Sequence, residues 1–234
     1  MALAVVIIDI RSSVGRPQVP EQLERLVGSL RNTVPNALFQ VAWGDEVEGV
    51  LPSPVDAWEL YVSVLRSLGD LPFYMGMGIG DVSHLPLNLP GRNVHELNGT
   101  GFKAARQAVD SAKRDPEATV ALAFNVFGQP NLTEALNGYP RMINAAVGQM
   151  TRTQKKYFID WLLGYNQSAI ADRHGVRQST VSLSLQRAGA SQLPIMRGGL
   201  NALLGFVAEH MQWVFGRETG DDGILRSAPR TFPE

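Results

Sequence analysis

Two sets of residues in this 234-residue chain have the types and spacing to do chemistry. The first is acidic. The apolar run ALAVVII (residues 2–8) ends in Asp9, and a second short apolar run ends at Gly44-Asp45-Glu46. Taken singly, an aspartate at a strand end or in a turn is often only a cap or a turn former. Held side by side, Asp9 and Asp45, with the backbone carbonyl of Ile10, make a hard-oxygen site suited to Mg²⁺ or Mn²⁺. Two such ions would clamp a triphosphate for in-line attack. Glu46 and Glu48 add negative charge beside them.

The second set is basic. Residues 151–192 carry Arg152, Lys155, Lys156, Arg173, Arg177 and Arg187 against Asp160 and Asp172, a net of +4 in a chain whose formal charge is −1. Residues 1–150 hold 11 basic and 15 acidic groups, a net of −4. Basic charge gathered on one segment of an otherwise acidic chain is the electrostatic footprint expected of a DNA-binding module.

The elements that must position the basic set follow from spacing. Thr151 can cap a helix with Phe158, Trp161 and Leu162 on one face. A second helix, roughly Gln167 to His174, turns Ile170 and Ala171 inward. Gly175 supplies the tight turn, Val176 plugs the corner, and a third helix from about Gln178 buries Val181 and Leu185. That is helix-turn-helix spacing. It leaves Arg177, Gln178, Ser179, Thr180, Ser182, Gln186 and Arg187, together with Arg152 and Lys155, as the groups for base edges and phosphates. The run AIADRHGVRQSTVS with Leu185 resembles the helix-turn-helix of response-regulator outputs and of the −35-reading region of sigma factors.

The acidic set needs a sheet. Residues 2–8 read as a strand buried on both faces. Pro20 can start a helix carrying Leu23, Leu26, Val27 and Leu30. Leu38–Trp43 and Val47–Leu51 form a hairpin across Gly44-Asp45-Glu46. Asp56–Leu68 is an amphipathic helix, and PFYMGMGIG (72–80) is a strand so rich in glycine that a backbone or a ligand must approach it closely. A helix over Gly101–Lys113 and a strand over Thr119–Phe124 complete the order β-α-β-β-α-β, then α-β. A ferredoxin-like sheet with helices on one face is the natural solution. The hairpin then lies beside the end of the first strand and brings Asp45 to Asp9.

These runs resemble the palm domain of nucleotide cyclases. VVIIDIRSS, AWGDEVEGVL, GMGIG and GTGFKAARQAV, over residues 2–125, are most similar to the SatD family, which joins such a domain to a C-terminal helix-turn-helix. The resemblance implies metal ligands at Asp9 and Asp45, nucleotide binding by Arg106 and Glu46, and for Arg106 the place of the cyclase transition-state arginine. Two positions depart from the cyclases. Phe102 replaces the catalytic asparagine four residues before Arg106, and Val41 replaces the base-reading lysine of adenylate cyclases. Loss of such oriented donors lowers phosphoryl-transfer rates by orders of magnitude.

The expected fold class is therefore α+β: a cyclase-like sheet domain (1–130), a connecting helix (131–150), an all-α helix-turn-helix domain (151–192), a last helix (193–216) that is a candidate for dimerisation, and a flexible tail (217–234). In the last helix Met196, Leu200, Leu203, Val207, Met211 and Val214 form a stripe that Phe206 and Trp213 widen. The stripe serves either packing on its own domain or a homodimer, which would supply the second reading head of a palindromic site. The chain has no cysteine, which excludes disulfides and zinc-thiolate sites. Its short apolar start lacks a basic leader, so a cytoplasmic protein is expected, with no membrane association. No histidine pair has ligand spacing. Function then divides between a DNA-binding transcriptional regulator that senses a nucleotide through Mg²⁺ or Mn²⁺, and a metal-dependent cyclase or oligonucleotide polymerase tethered to DNA.

Overall fold

The computed structural model describes residues 3–11, 19–42, 44–69, 71–82, 93–114 and 120–215. The chain is α+β, with eight helices and one five-stranded mixed sheet among the described residues. The strands are β1 (Leu3–Ile10), β2 (Leu38–Val41), β3 (Glu46–Leu51), β4 (Phe73–Gly80) and β5 (Val120–Val126), in the order β2-β3-β1-β4-β5. β1 is antiparallel to both neighbours, β2 to β3 likewise, and only β4 and β5 run parallel. The expected order β-α-β-β-α-β, then α-β, is present: α1 (Val19–Thr33) and α2 (Ala57–Leu68) are the helices of the first part, and α3 (Thr100–Lys113) leads into β5.

The expectation of helices on one face is corrected. The alternation of β1 puts Ala4, Val6, Ile8 and Ile10 into one core with α1 and α2. Val5 and Ile7 face a second core built on α3. A strand apolar on both sides requires cover on both sides, and the continuous apolar run of β1 is that signature. Asp9 belongs by register to the α3 face, one pleat beyond Ile7.

The glycines of β4 explain how α3 sits. A Cβ on Gly76 would lie 2.5 Å from the Val109 backbone nitrogen and 2.7 Å from the Ala105 carbonyl oxygen. On Gly78 it would overlap the Ala105 nitrogen and the Gly101 oxygen. The close approach expected of this strand is therefore a helix backbone, with Gly101, Ala104, Ala105, Ala108 and Ala112 as its small-residue face. It is not a ligand.

Beyond the sheet, α4 (Pro130–Gly148) does more than connect. Asn137 accepts from the Phe124 amide and donates to the Phe124 carbonyl, both at 2.8 Å. Asn144 does the same at Leu122, both at 3.0 Å, and Thr133 accepts from the Val126 amide at 2.9 Å. Residues 133, 137 and 144 recur on one helix face and meet every second residue of β5. Side-chain amides thus satisfy the edge that a sixth strand would otherwise pair with, which protects against edge-to-edge association.

Three short helices follow, α5 (Arg152–Leu162), α6 (Gln167–His174) and α7 (Gln178–Arg187), and then the long α8 (Leu193–Phe215). Thr151 and Gln154 form a reciprocal capping box on α5, and Asn166 caps α6. Gly175 ends α6 in the left-handed conformation at φ 64°, and the Val176 amide returns to the Ala171 carbonyl at 3.0 Å. Ile170, Ala171, Val181 and Leu185 are buried, as spacing expects, with Tyr157 and Phe158 beneath them and Val176 half-buried. The apolar side of this unit joins the α1–α2 core, because α5 packs on α2 and α8 packs on α4 and on the 3-10 turn Pro54–Asp56. No described helix is long and apolar enough to cross a membrane.

Candidate functional site

The acidic end of the sheet assembles from three elements. Antiparallel register sets Glu46 opposite Asp9 and Glu48 opposite Ile7, all on the α3 face. The Ile10 amide donates to the Asp45 carbonyl at 3.2 Å, which holds the hairpin turn against the end of β1. Asp9 and Asp45 are therefore brought together, as the topology requires.

Cations already meet these carboxylates. The Lys113 ammonium pairs with the Asp9 carboxylate. Arg106 grips Glu46 with both guanidinium nitrogens, at 2.6 and 2.8 Å, and reaches Glu48 at 3.4 Å. Lys113 is seven residues after Arg106, so two helical turns place both on the side of α3 that overhangs β1 and β3. The glycine seam sets the reach: with α3 lowered onto β4, an arginine spans to β3 and a lysine to the end of β1. Beyond Arg106, the 3-10 turn Val94–Glu96 closes over β2, where the Val94 amide donates to Gln40 Oε1 at 2.7 Å.

Burial raises the Asp9 pKa above its ordinary value; Lys113 works against the shift, and Glu46 and Asp45 add to it. Burial likewise raises Glu48 despite Arg106. Folding thus favours protonation of Glu48 relative to the unfolded chain, so its contribution to stability is full below pH 4.5 and is lost as pH rises through the raised folded value. Glu48→Gln is accordingly expected to raise the melting temperature near neutral pH. That advantage should vanish on acidification, when wild-type Glu48 is itself neutral. Thermal melts of both proteins across pH check it, and an advantage that grows toward acid would contradict it.

In chemical kind the donors suit a divalent ion. In arrangement they do not make a resident metal site: Lys113 holds Asp9, Arg106 holds Glu46, and among the described residues no three His, Cys, Asp or Glu side chains converge on one point. Phe102 is half-buried and packs against the α3-side core, and Val41 packs against the α1–α2 core.

The groups expected to face DNA lie on α5, on α7 and at Arg177 just before α7. Arg152, Arg177, Gln178, Ser179, Thr180, Gln186 and Arg187 are exposed, and Lys155 and Ser182 are half-buried. Gln178 Nε2 donates to Gln167 Oε1, so this residue ties α7 to α6 as well as facing solvent. His174 bonds through Nε2 to the buried Asp160 at 2.7 Å and stands edge-on to Tyr157 at 5.0 Å. Arg173 approaches the same carboxylate at 3.5 Å and lies 5.5 Å from the centre of the Tyr165 ring. One buried acid thus anchors the end of α6 just before the turn. Sequence spacing did not reveal Asp160, because its partners are 13 and 14 residues away. Lys113 was missed for a similar reason: without the glycine seam nothing places it at Asp9.

On α8, Leu200, Leu204 and Val207 are buried against this chain, Met196 and Leu203 are half-buried, and Ile195 and Phe206 are exposed at 72% and 51%. Own-domain packing therefore takes much of the expected stripe. The side chains of Met211, Trp213 and Val214, and the tail 217–234, lie outside the described residues.

No family model matches this chain, and no curated protein matches it. Among solved structures, it is similar to an EAL/GGDEF domain protein from M. capsulatus, at 12% sequence identity and a TM-score of 0.36, over 54% of this chain and 85% of that one.

Proposed function

We propose that this chain is a DNA-binding transcriptional regulator: α5–α7 act as a helix-turn-helix, α7 reads the major groove, and the sheet domain is a cyclase-like sensor. One observation carries the reading. The outer face of α7 and the turn before it present Arg177, Ser179, Thr180, Gln186 and Arg187, while Val181 and Leu185 anchor the opposite face, on the one segment of the chain with a +4 charge. Short hydroxyls, an amide and guanidinium forks are the groups that pair with base edges and phosphates.

The sensor half follows from the ion pairs. A nucleotide phosphate arriving between α3 and β3 would exchange carboxylates for phosphate oxygens at Arg106 and Lys113, both cations that bind phosphate well. Releasing Glu46 and Asp9 in this way would bias the position of α3. A second copy of the chain would supply the other reading head for a two-fold site.

Fluorescence anisotropy with the full chain, run as a salt titration on DNA from upstream of its own coding region, tests the regulator. Tighter binding to that DNA than to scrambled duplex is expected, with affinity falling linearly in log–log against salt. Equal binding to both duplexes sinks the reading. Pyrophosphate release from nucleoside triphosphates with Mn²⁺, abolished by Asp45→Ala, would put the enzyme in its place.

A further inference from the structure

α7 carries one residue that the polar reading does not use. Leu183 is 47% exposed on a helix whose other outward groups are polar. A single exposed leucine is ordinary on a protein surface; its position here is not. At about 100° per residue, Ser179 and Arg187 fall about 40° to either side of Leu183, and Thr180 and Gln186 about 60°. Val181 and Leu185, the buried anchors, lie about 160° away on the same count. Leu183 is therefore the midpoint of the outward face. A helix entering the major groove along that face presents Leu183 to the base edges before any of its polar neighbours.

We infer that Leu183 is a specificity-determining residue that reads the C5-methyl group of thymine in duplex DNA. The major-groove edge of a base pair offers one apolar feature, the thymine methyl, and an aliphatic side chain is its complement. Other occupants of that edge would leave a donor or acceptor against the leucine without a partner, so the same contact disfavours cytosine and guanine there. Ser179, Thr180, Gln186 and Arg187 then supply the hydrogen bonds and phosphate contacts that fix the register around it. This inference rests on α7 being the DNA-facing helix.

The test uses the full chain and a duplex enriched from a random-sequence pool by the wild-type protein. Each thymine in that duplex is replaced in turn by deoxyuridine, which removes the methyl and leaves every hydrogen-bonding group in place. Wild type is expected to lose about fourfold in affinity at one or two positions, the equivalent of one buried methyl-sized group. Leu183→Ala and Leu183→Gln should bind the thymine and deoxyuridine duplexes equally at those positions. Both variants change an exposed side chain, and unchanged circular dichroism verifies that they fold. Tight binding by wild type with no deoxyuridine effect overturns the inference and leaves the regulator standing. So does a deoxyuridine effect that persists in both variants, since another residue then reads the methyl. A loss of oligomeric mass in Leu183→Ala on sedimentation would make Leu183 a protein contact and equally overturn it. If no duplex is enriched, the DNA-binding reading itself falls, and the inference with it.

Discussion

Gly78→Ala is expected to destabilise the protein by about 3 kcal/mol or more, the upper end of what overpacking a well-filled contact costs. The added Cβ would overlap the Ala105 nitrogen and the Gly101 oxygen and sit 2.7 Å from the Ala104 carbonyl carbon. All three are backbone atoms of α3, so no side-chain rotamer can relieve the clash; the helix must lift from the sheet. At roughly 2–4 °C per kcal/mol for a chain of this size, the melting temperature should fall by about 10 °C. The displacement has a second consequence. Arg106 and Lys113 ride on α3, so lifting it also strains their pairs with Glu46 and Asp9. Gly28→Ala is the matched control. Gly28 is an exposed glycine inside α1, and a methyl group added there would meet nothing within 4 Å. Alanine at that position should stabilise by about 0.5–1 kcal/mol through helix propensity alone. Thermal denaturation of the two variants gives the comparison. Equal, small effects would mean that α3 does not rest on β4 as described.

The same glycines show what a single sequence reveals and what it withholds. Period and punctuation were enough for the order of elements, for the hairpin that brings Asp45 to Asp9, and for the turn at Gly175, because each is a local property of the chain. The apolar run of β1 even demanded cover on both faces, although the one-faced arrangement was expected. Partner identity was not local. GMGIG announced a close approach, but whether a helix or a ligand made it depends on residues 101–112, more than twenty positions on. Asp9 and Asp45 pointed to a metal site, and nothing in their spacing announced that Lys113 would reach Asp9 over the sheet; nor did the positions of Asn137 and Asn144 announce their bonds to β5. Side-chain chemistry that acts across an interface between distant elements has no periodic signature. That is why the acidic end was located correctly from sequence while its charge balance was not.

Replacing Arg177 and Arg187 together by alanine is expected to lower affinity for duplex DNA by about a hundredfold at moderate salt, at roughly tenfold per lost phosphate contact. The two residues stand at opposite ends of α7, about 15 Å apart along the helix at 1.5 Å per residue. Both are exposed, and neither lies within the apolar contacts that hold α7 on α5 and α6. The fold should therefore survive, with an unchanged circular dichroism melt. Arg177 precedes the first turn of α7 and Arg187 closes its last, so they flank the central base-reading face and suit phosphates on either side of a groove. Phosphate contacts carry the salt dependence of binding, and each one removed should reduce the slope of log affinity against log salt by about 0.9. The double variant should thus show a slope shallower by about 2. The loss should be similar on the preferred site and on unrelated duplex, because phosphates carry no sequence. Leu183→Ala, in contrast, should leave the slope intact and change only discrimination among sequences. A double variant that binds as tightly as wild type, at an unchanged slope, would remove α7 from the DNA interface and with it the mechanism proposed for this end of the chain.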